Sequence, residues 1–110
     1  MSEHSHDRDW KLRIIVDAHL STGQQVAQSL HAAIEFTQEH PQKTRHWHRV
    51  SNSIICMASQ DIEAFHRKCL EKGIIHSCFY EPDMDNRLTA IALEPTAESR
   101  KLTSSLPLVR

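Results

Sequence analysis

Apolar and polar residues alternate along this chain in blocks. Leu12, Ile14, Ile15 and Val16 make a short, β-branched run, the pattern of a strand covered on both faces. Ser21, Thr22 and Gly23 follow with turn and capping chemistry. From 24 to about 39 the spacing is helical: Val26, Ala27, Leu30, Ala33 and Ile34 share one apolar face. Gln24, Gln28, His31 and Glu35 form a separate polar stripe on the same helix. Pro41 stops it, because proline disfavours helical geometry in the residue before it. Residues 40–52 are polar and read as a loop with at most a helical turn, in which Trp47 serves as an anchor to the core. Residues 53–59 predict a second buried strand.

Ser59 is a suitable cap for a helix over about 60–72. Asp61 and Glu63 fall in its first turn, where the helix dipole favours anions. Ile62, Phe65, Cys69 and Leu70 form its inner stripe, and Gly73 suits its end. Residues 74–81 and 88–95 predict two more strands joined by the turn-forming Pro82–Arg87 stretch, and a last helix spans about 97–104. The order is β-α-β-α-β-turn-β-α. Whole helices separate the first three strands, which predicts that they run parallel. The short third connection predicts a hairpin with an antiparallel fourth strand. The expected architecture is a three-layer α/β/α domain with a mixed four-stranded sheet, over 10–110, after a flexible tail over 1–9.

The chain has 110 residues, the size of one domain. No apolar run approaches the ~20 residues of a membrane helix, and residues 1–10 resemble neither a secretory signal nor a transit peptide, so a cytoplasmic protein without a membrane partner is expected. Three cysteines without CxxC spacing read as buried thiols in a reducing compartment. Formal net charge is −1 with the nine histidines neutral. A strong nucleic-acid binder would be clearly basic.

In open α/β sheets, ligands bind beyond the carboxyl ends of the strands. That rule singles out residues 17–23, 58–61 and 81–86. Free N–H groups at a helix start after Gly23 suit an anion or a developing oxyanion. Glu81, Asp83 and Asp85 crowd one turn and could supply a base, or serve the turn alone. Lys43, Arg45 and Arg49 interleave with His46, Trp47 and His48, a pattern able to track phosphates. His46 and His48 lack a third zinc ligand at convincing spacing, so no metal and no cofactor are expected.

The stretches "RIIVDAHLSTGQQVAQSLHAA", "HWHRVSNSIICMAS", "DIEAFHRKCLEKG" and "LTAIALEP" together resemble the type II peptidyl-tRNA hydrolases and their bacterial relatives over about 10–100. The resemblance implies a small α/β/α domain that cleaves the ester between a peptide and the 3′ ribose of tRNA. Gly23, Ala27, Gln28, His31, Ala32 and Ala33 match the family's first-helix pattern. Thr22 and Gln24 stand where the family usually has lysines, and "EPDMDNR" is shorter than the family's loop, with Glu81 then Asp83 as counterparts of its aspartate. The candidate residues for binding peptidyl-tRNA are then Thr22, Gly23, Gln24 and Gln28, with the cations Lys43, Arg45 and Arg49, and the candidates for catalysis are His31 with Glu81 or Asp83. A non-enzymatic binding or regulatory module of the same fold is the alternative, and the long helix faces leave room for a homodimer.

Overall fold

The computed structural model describes residues 10–109; the expected tail over 1–9 lies outside them. The strands are β1 (Leu12–Asp17), β2 (Ile54–Ser59), β3 (His76–Glu81) and β4 (Arg87–Leu93), and the helices are α1 (Thr22–Glu39), α2 (Pro41–Val50), α3 (Ile62–Lys72) and α4 (Ala97–Thr103). A 3-10 turn, Pro82–Met84, joins β3 to β4. The sheet order is β2-β1-β4-β3. β1 pairs with β2 in parallel, and β4 is antiparallel to both β1 and β3. The first three strands therefore point one way, but β4 is inserted between β1 and β3, so one parallel pair exists.

Two apolar clusters make the core, one on each face of the sheet. Leu12, Ile14, Val16, Ala90 and Ala92 meet Ala32 and Phe36 of α1 and Trp47 of α2. Ile15, Ile91 and Leu93 meet Ile62, Phe65 and Cys69 of α3, with Leu102 of α4 beside them. β1 and β4 are central, and every residue of β1 is buried. β2 was expected to be buried but is an edge strand, with Ile54 exposed. Its outer edge receives the chain end: the Ala58 N–H donates to the Pro107 carbonyl at 2.9 Å, and the Val109 N–H to the Cys56 carbonyl at 3.1 Å. Pairing of this kind hides a strand's free backbone groups.

α1 starts with a capping box. Ser21 Oγ accepts from the Gln24 N–H and Gln24 Oε1 accepts from the Ser21 N–H. The helix is turned differently from the expectation. Its most apolar stripe, Val26, Leu30 and Ile34, faces outward, each more than half exposed, and the buried residues are Gln28, Ser29, Ala32 and Phe36. Small side chains at Ser29 and Ala32 let the helix approach the sheet closely. The polar stripe lies along β3: Gln28 meets Glu81, His31 meets Phe79, and Glu39 accepts from the Ser77 hydroxyl.

The stretch 40–52, expected as a loop, is mostly the helix α2, with Pro41 at its start, where a missing N–H costs nothing. Trp47 is its single buried residue, and its Nε1–H donates to the Ser53 carbonyl at 2.8 Å. In α3 the cap is Asp61, whose Oδ1 accepts from the Ala64 N–H at 3.0 Å, and Leu70 is exposed instead of lining the inner face. Gly73 ends α3 at φ 66°, the left-handed geometry that glycine adopts without strain. None of the described helices is long and apolar enough to cross a membrane.

Candidate functional site

Glu81 ends β3 and projects toward α1, where Gln28 Nε2–H donates to its Oε1 at 3.0 Å. Gln28 is buried, and its Oε1 accepts from the Thr89 hydroxyl at 2.6 Å. A break in strand register brings Thr89 there. Phe79 pairs with Ala90 and Tyr80 with Leu88, so Thr89 is the residue skipped. Such bulges re-aim a side chain and recur beside active sites. The Thr89 hydroxyl also lies 3.3 Å from the Phe79 carbonyl. The chain Thr89–Gln28–Glu81 thus holds one half-buried carboxylate in a fixed orientation against the second turn of α1.

The start of α1 lies at the same edge of the sheet. With the capping box and the Gln25 N–H bond to the Ser21 carbonyl, the N–H groups of Thr22 and Gly23 are the helix's first donors without a partner among the described residues. A Cβ at Gly23 would meet no heavy atom within 4 Å, so the backbone there is uncovered on that side. Five residues of helix, about 7.5 Å of axis, separate Gly23 from Gln28.

Asp17, at the end of β1, is buried and forms an ion pair with Arg87, itself half exposed. Asp17 Oδ1 also accepts from the His19 N–H at 2.8 Å, and His19 Nε2 lies 2.9 Å from the Gln60 carbonyl. These residues with Asp61 and Ile62 line a cleft of about 220 Å³. Arg87 pairs in register with Glu81 across the β3–β4 hairpin. The three segments that the strand-end rule singled out contain Asp17, His19, Gln60, Asp61 and Glu81. The Asp17–Arg87 pair spans 70 positions and left no signal in the sequence.

The expected site residues divide into groups. Gln28 and Glu81 are hydrogen-bonded, and Thr22, Gly23 and Gln24 lie in the first turn of the same helix. His31 is one turn farther along α1, exposed, with its ring stacked on Phe79 at 4.4 Å and 8°. Asp83 is exposed on the 3-10 turn. Neither is hydrogen-bonded to Glu81 among the described residues. Lys43, Arg45 and Arg49 belong to α2, beyond the far end of α1, which is about 27 Å long. There Lys43 pairs with Glu94 at 3.4 Å beside a cavity of about 300 Å³ lined by Trp10 and His46. These three cations, read from the sequence as able to track phosphates, thus lie past the end of α1 opposite to its start. Arg49 lies 3.4 Å from His46 Nδ1.

Titration is perturbed elsewhere. Burial raises the Cys56 thiol, which a hydrogen bond with Ser29 partly offsets. Burial pushes Cys69 up to about 12, and Cys78 up to about 11 against the opposing effect of a hydrogen bond with Tyr80. Burial, with His76 nearby, holds His66 below the ordinary histidine range.

No protein-family model and no curated protein sequence matches the chain. Among solved structures, it is similar to a protein of unknown function from Agrobacterium tumefaciens, at 15% identity and a TM-score of 0.68, over 91% of this chain and 97% of that one. At this identity the similarity establishes the fold: an α/β domain on a mixed four-stranded sheet.

Proposed function

We propose that this chain is a carboxylic-ester hydrolase of the peptidyl-tRNA hydrolase type, working at the edge where α1 begins and β3 ends. The observation that carries the reading is the 3.0 Å hydrogen bond from Gln28 to Glu81, which fixes a carboxylate against the second turn of the helix whose first N–H groups would hold the oxyanion. In this reading Glu81 takes a proton from a water, and the water oxygen attacks the ester carbonyl carbon. The carbonyl oxygen gains the negative charge and is held by the N–H groups of Thr22 and Gly23. The tetrahedral adduct collapses, the ribose 3′ oxygen leaves, and the proton on Glu81 returns to it. Gln28 and Thr89 are positioning residues.

Release of tRNA from a peptidyl-tRNA substrate tests this. The wild-type chain should liberate tRNA with a free 3′ hydroxyl. Glu81→Gln should slow release by about 10²–10⁴-fold. Thr22→Pro should slow it by about 10²–10³-fold by deleting one oxyanion donor. Ser21 already has extended geometry, at φ −64° and ψ 162°, which a following proline accepts, so the fold should be retained. Circular dichroism checks that retention. Absence of wild-type release anywhere between about pH 6 and pH 9 would end the catalytic reading.

A specific observation favours a second reading, a non-enzymatic binding module. Asp17, Asp61, Glu63, Glu81, Asp83 and Asp85 ring this edge, and its Arg87 is already neutralised by Asp17. Phosphates would meet carboxylates there. The affinity for tRNA at two salt concentrations separates the readings. A phosphate-tracking site weakens steeply as salt rises, and a pocket for an uncharged or cationic ligand ignores tRNA at both.

A further inference from the structure

We propose that His66, His76 and Cys78 form a binding site for a zinc-like divalent cation on the α3 side of the sheet. His66 comes from the middle of α3. His76 and Cys78 are two apart on β3, so their side chains share a face. One ligand atom from each lies within 4.8 Å of the other two, and all three residues are half-buried. The imidazole rings of His66 and His76 meet edge to face at 5.1 Å.

The donor set fits a borderline-soft ion. Two imidazole nitrogens and one thiolate are ordinary zinc ligands, at about 2.0–2.1 Å for nitrogen and about 2.3 Å for sulfur. Around one tetrahedral ion such donors stand roughly 3.3–3.7 Å apart, so closure needs side-chain rotations of about 1 Å. The outer shell is partly built. His76 Nδ1 lies 2.7 Å from the Ile74 carbonyl, so it carries the proton and leaves the Nε2 lone pair for the metal. Ligating histidines are commonly held in this way. The fourth position falls to water or to Glu63, one turn before His66 on α3 and exposed. Binding converts the Cys78 thiol to a metal thiolate and releases its proton to the buffer.

This site is independent of the Glu81 group, which faces α1. His46 and His48 stand out by their spacing, whereas this set comes from two elements, shares no motif and so leaves no sign in the sequence.

The test uses Co²⁺ and Zn²⁺ with the purified full chain. Co²⁺ should bind one to one, with intense visible bands of tetrahedral cobalt and a near-ultraviolet thiolate-to-cobalt band. Cys78→Ser should abolish the thiolate band. His66→Asn and His76→Asn should each weaken Zn²⁺ binding by about 100-fold or more, while a His46→Asn/His48→Asn double variant should leave it unchanged. If a variant fails to fold, the wild-type chain still decides: Zn²⁺ should protect Cys78 from alkylation, read by mass spectrometry, with Cys56 as the internal comparison. Cobalt spectra without a thiolate band, binding that depends on His46 and His48, or Cys78 alkylation indifferent to Zn²⁺ would each overturn the proposal.

Discussion

Gln28 carries an amide that fits its surroundings only one way round. Its Nε2 must face the Glu81 carboxylate, and its Oε1 must face the Thr89 hydroxyl. Reversing it would set two acceptors against each other. A buried amide left without partners costs about 1–3 kcal/mol, so its satisfied state also fixes where Glu81 stands. The cysteines make a checkable residue-scale case. In the folded chain burial raises Cys69 to about 12 from the ordinary 9.0. Above pH 9 the unfolded chain loses this proton while the folded chain keeps it, so stability falls as pH rises toward 12 and is unaffected by this group below 9. The limiting slope from one thiol is about 1.4 kcal/mol per pH unit. Urea unfolding of wild type and Cys69→Ala from about pH 8 to pH 11 checks it: the variant should show a shallower alkaline decline. Equal slopes would refute the assignment. Cys78 keeps a residual slope in both.

The helix α1 shows where sequence patterning succeeds and where it stops. Its existence, start and end follow from the capping box and from Pro41, all local signals. Its rotation about its own axis does not. Val26, Leu30 and Ile34 make the more apolar stripe, yet the sheet takes Gln28, Ser29, Ala32 and Phe36. Close packing through small residues, together with the Glu81 and Thr89 partners 53 and 61 positions away, outweighs the stripe. No window of neighbouring residues contains those partners. The same limit hid α2, whose single buried residue, Trp47, leaves no apolar periodicity to read, and it hid the placement of β4 between β1 and β3. The consequence is measurable by chemical denaturation. Phe36→Ala should cost about 3–5 kcal/mol. Leu30→Lys and Ile34→Lys should each change stability by less than about 0.5 kcal/mol. A loss of several kcal/mol from either lysine variant would mean that the outward stripe is covered.

At the scale of the whole molecule, the two ends of the sheet present different groups. Carboxylates gather where the parallel strands end, and the cations of α2 lie past the other end of α1. The candidate ester site and the candidate metal site occupy opposite faces of β3, one toward α1 and one toward α3, so each can be lost without the other. The central claim is that the Glu81 edge is where the chain meets its substrate. It is tested most directly by nuclear magnetic resonance of the labelled protein with a non-hydrolysable amide analogue of an N-blocked aminoacyl-adenosine. The account predicts amide shift changes centred on Thr22, Gly23, Gln28, Glu81 and Arg87. Changes confined to Lys43, Arg45 and Arg49, or none at saturating analogue, would contradict it.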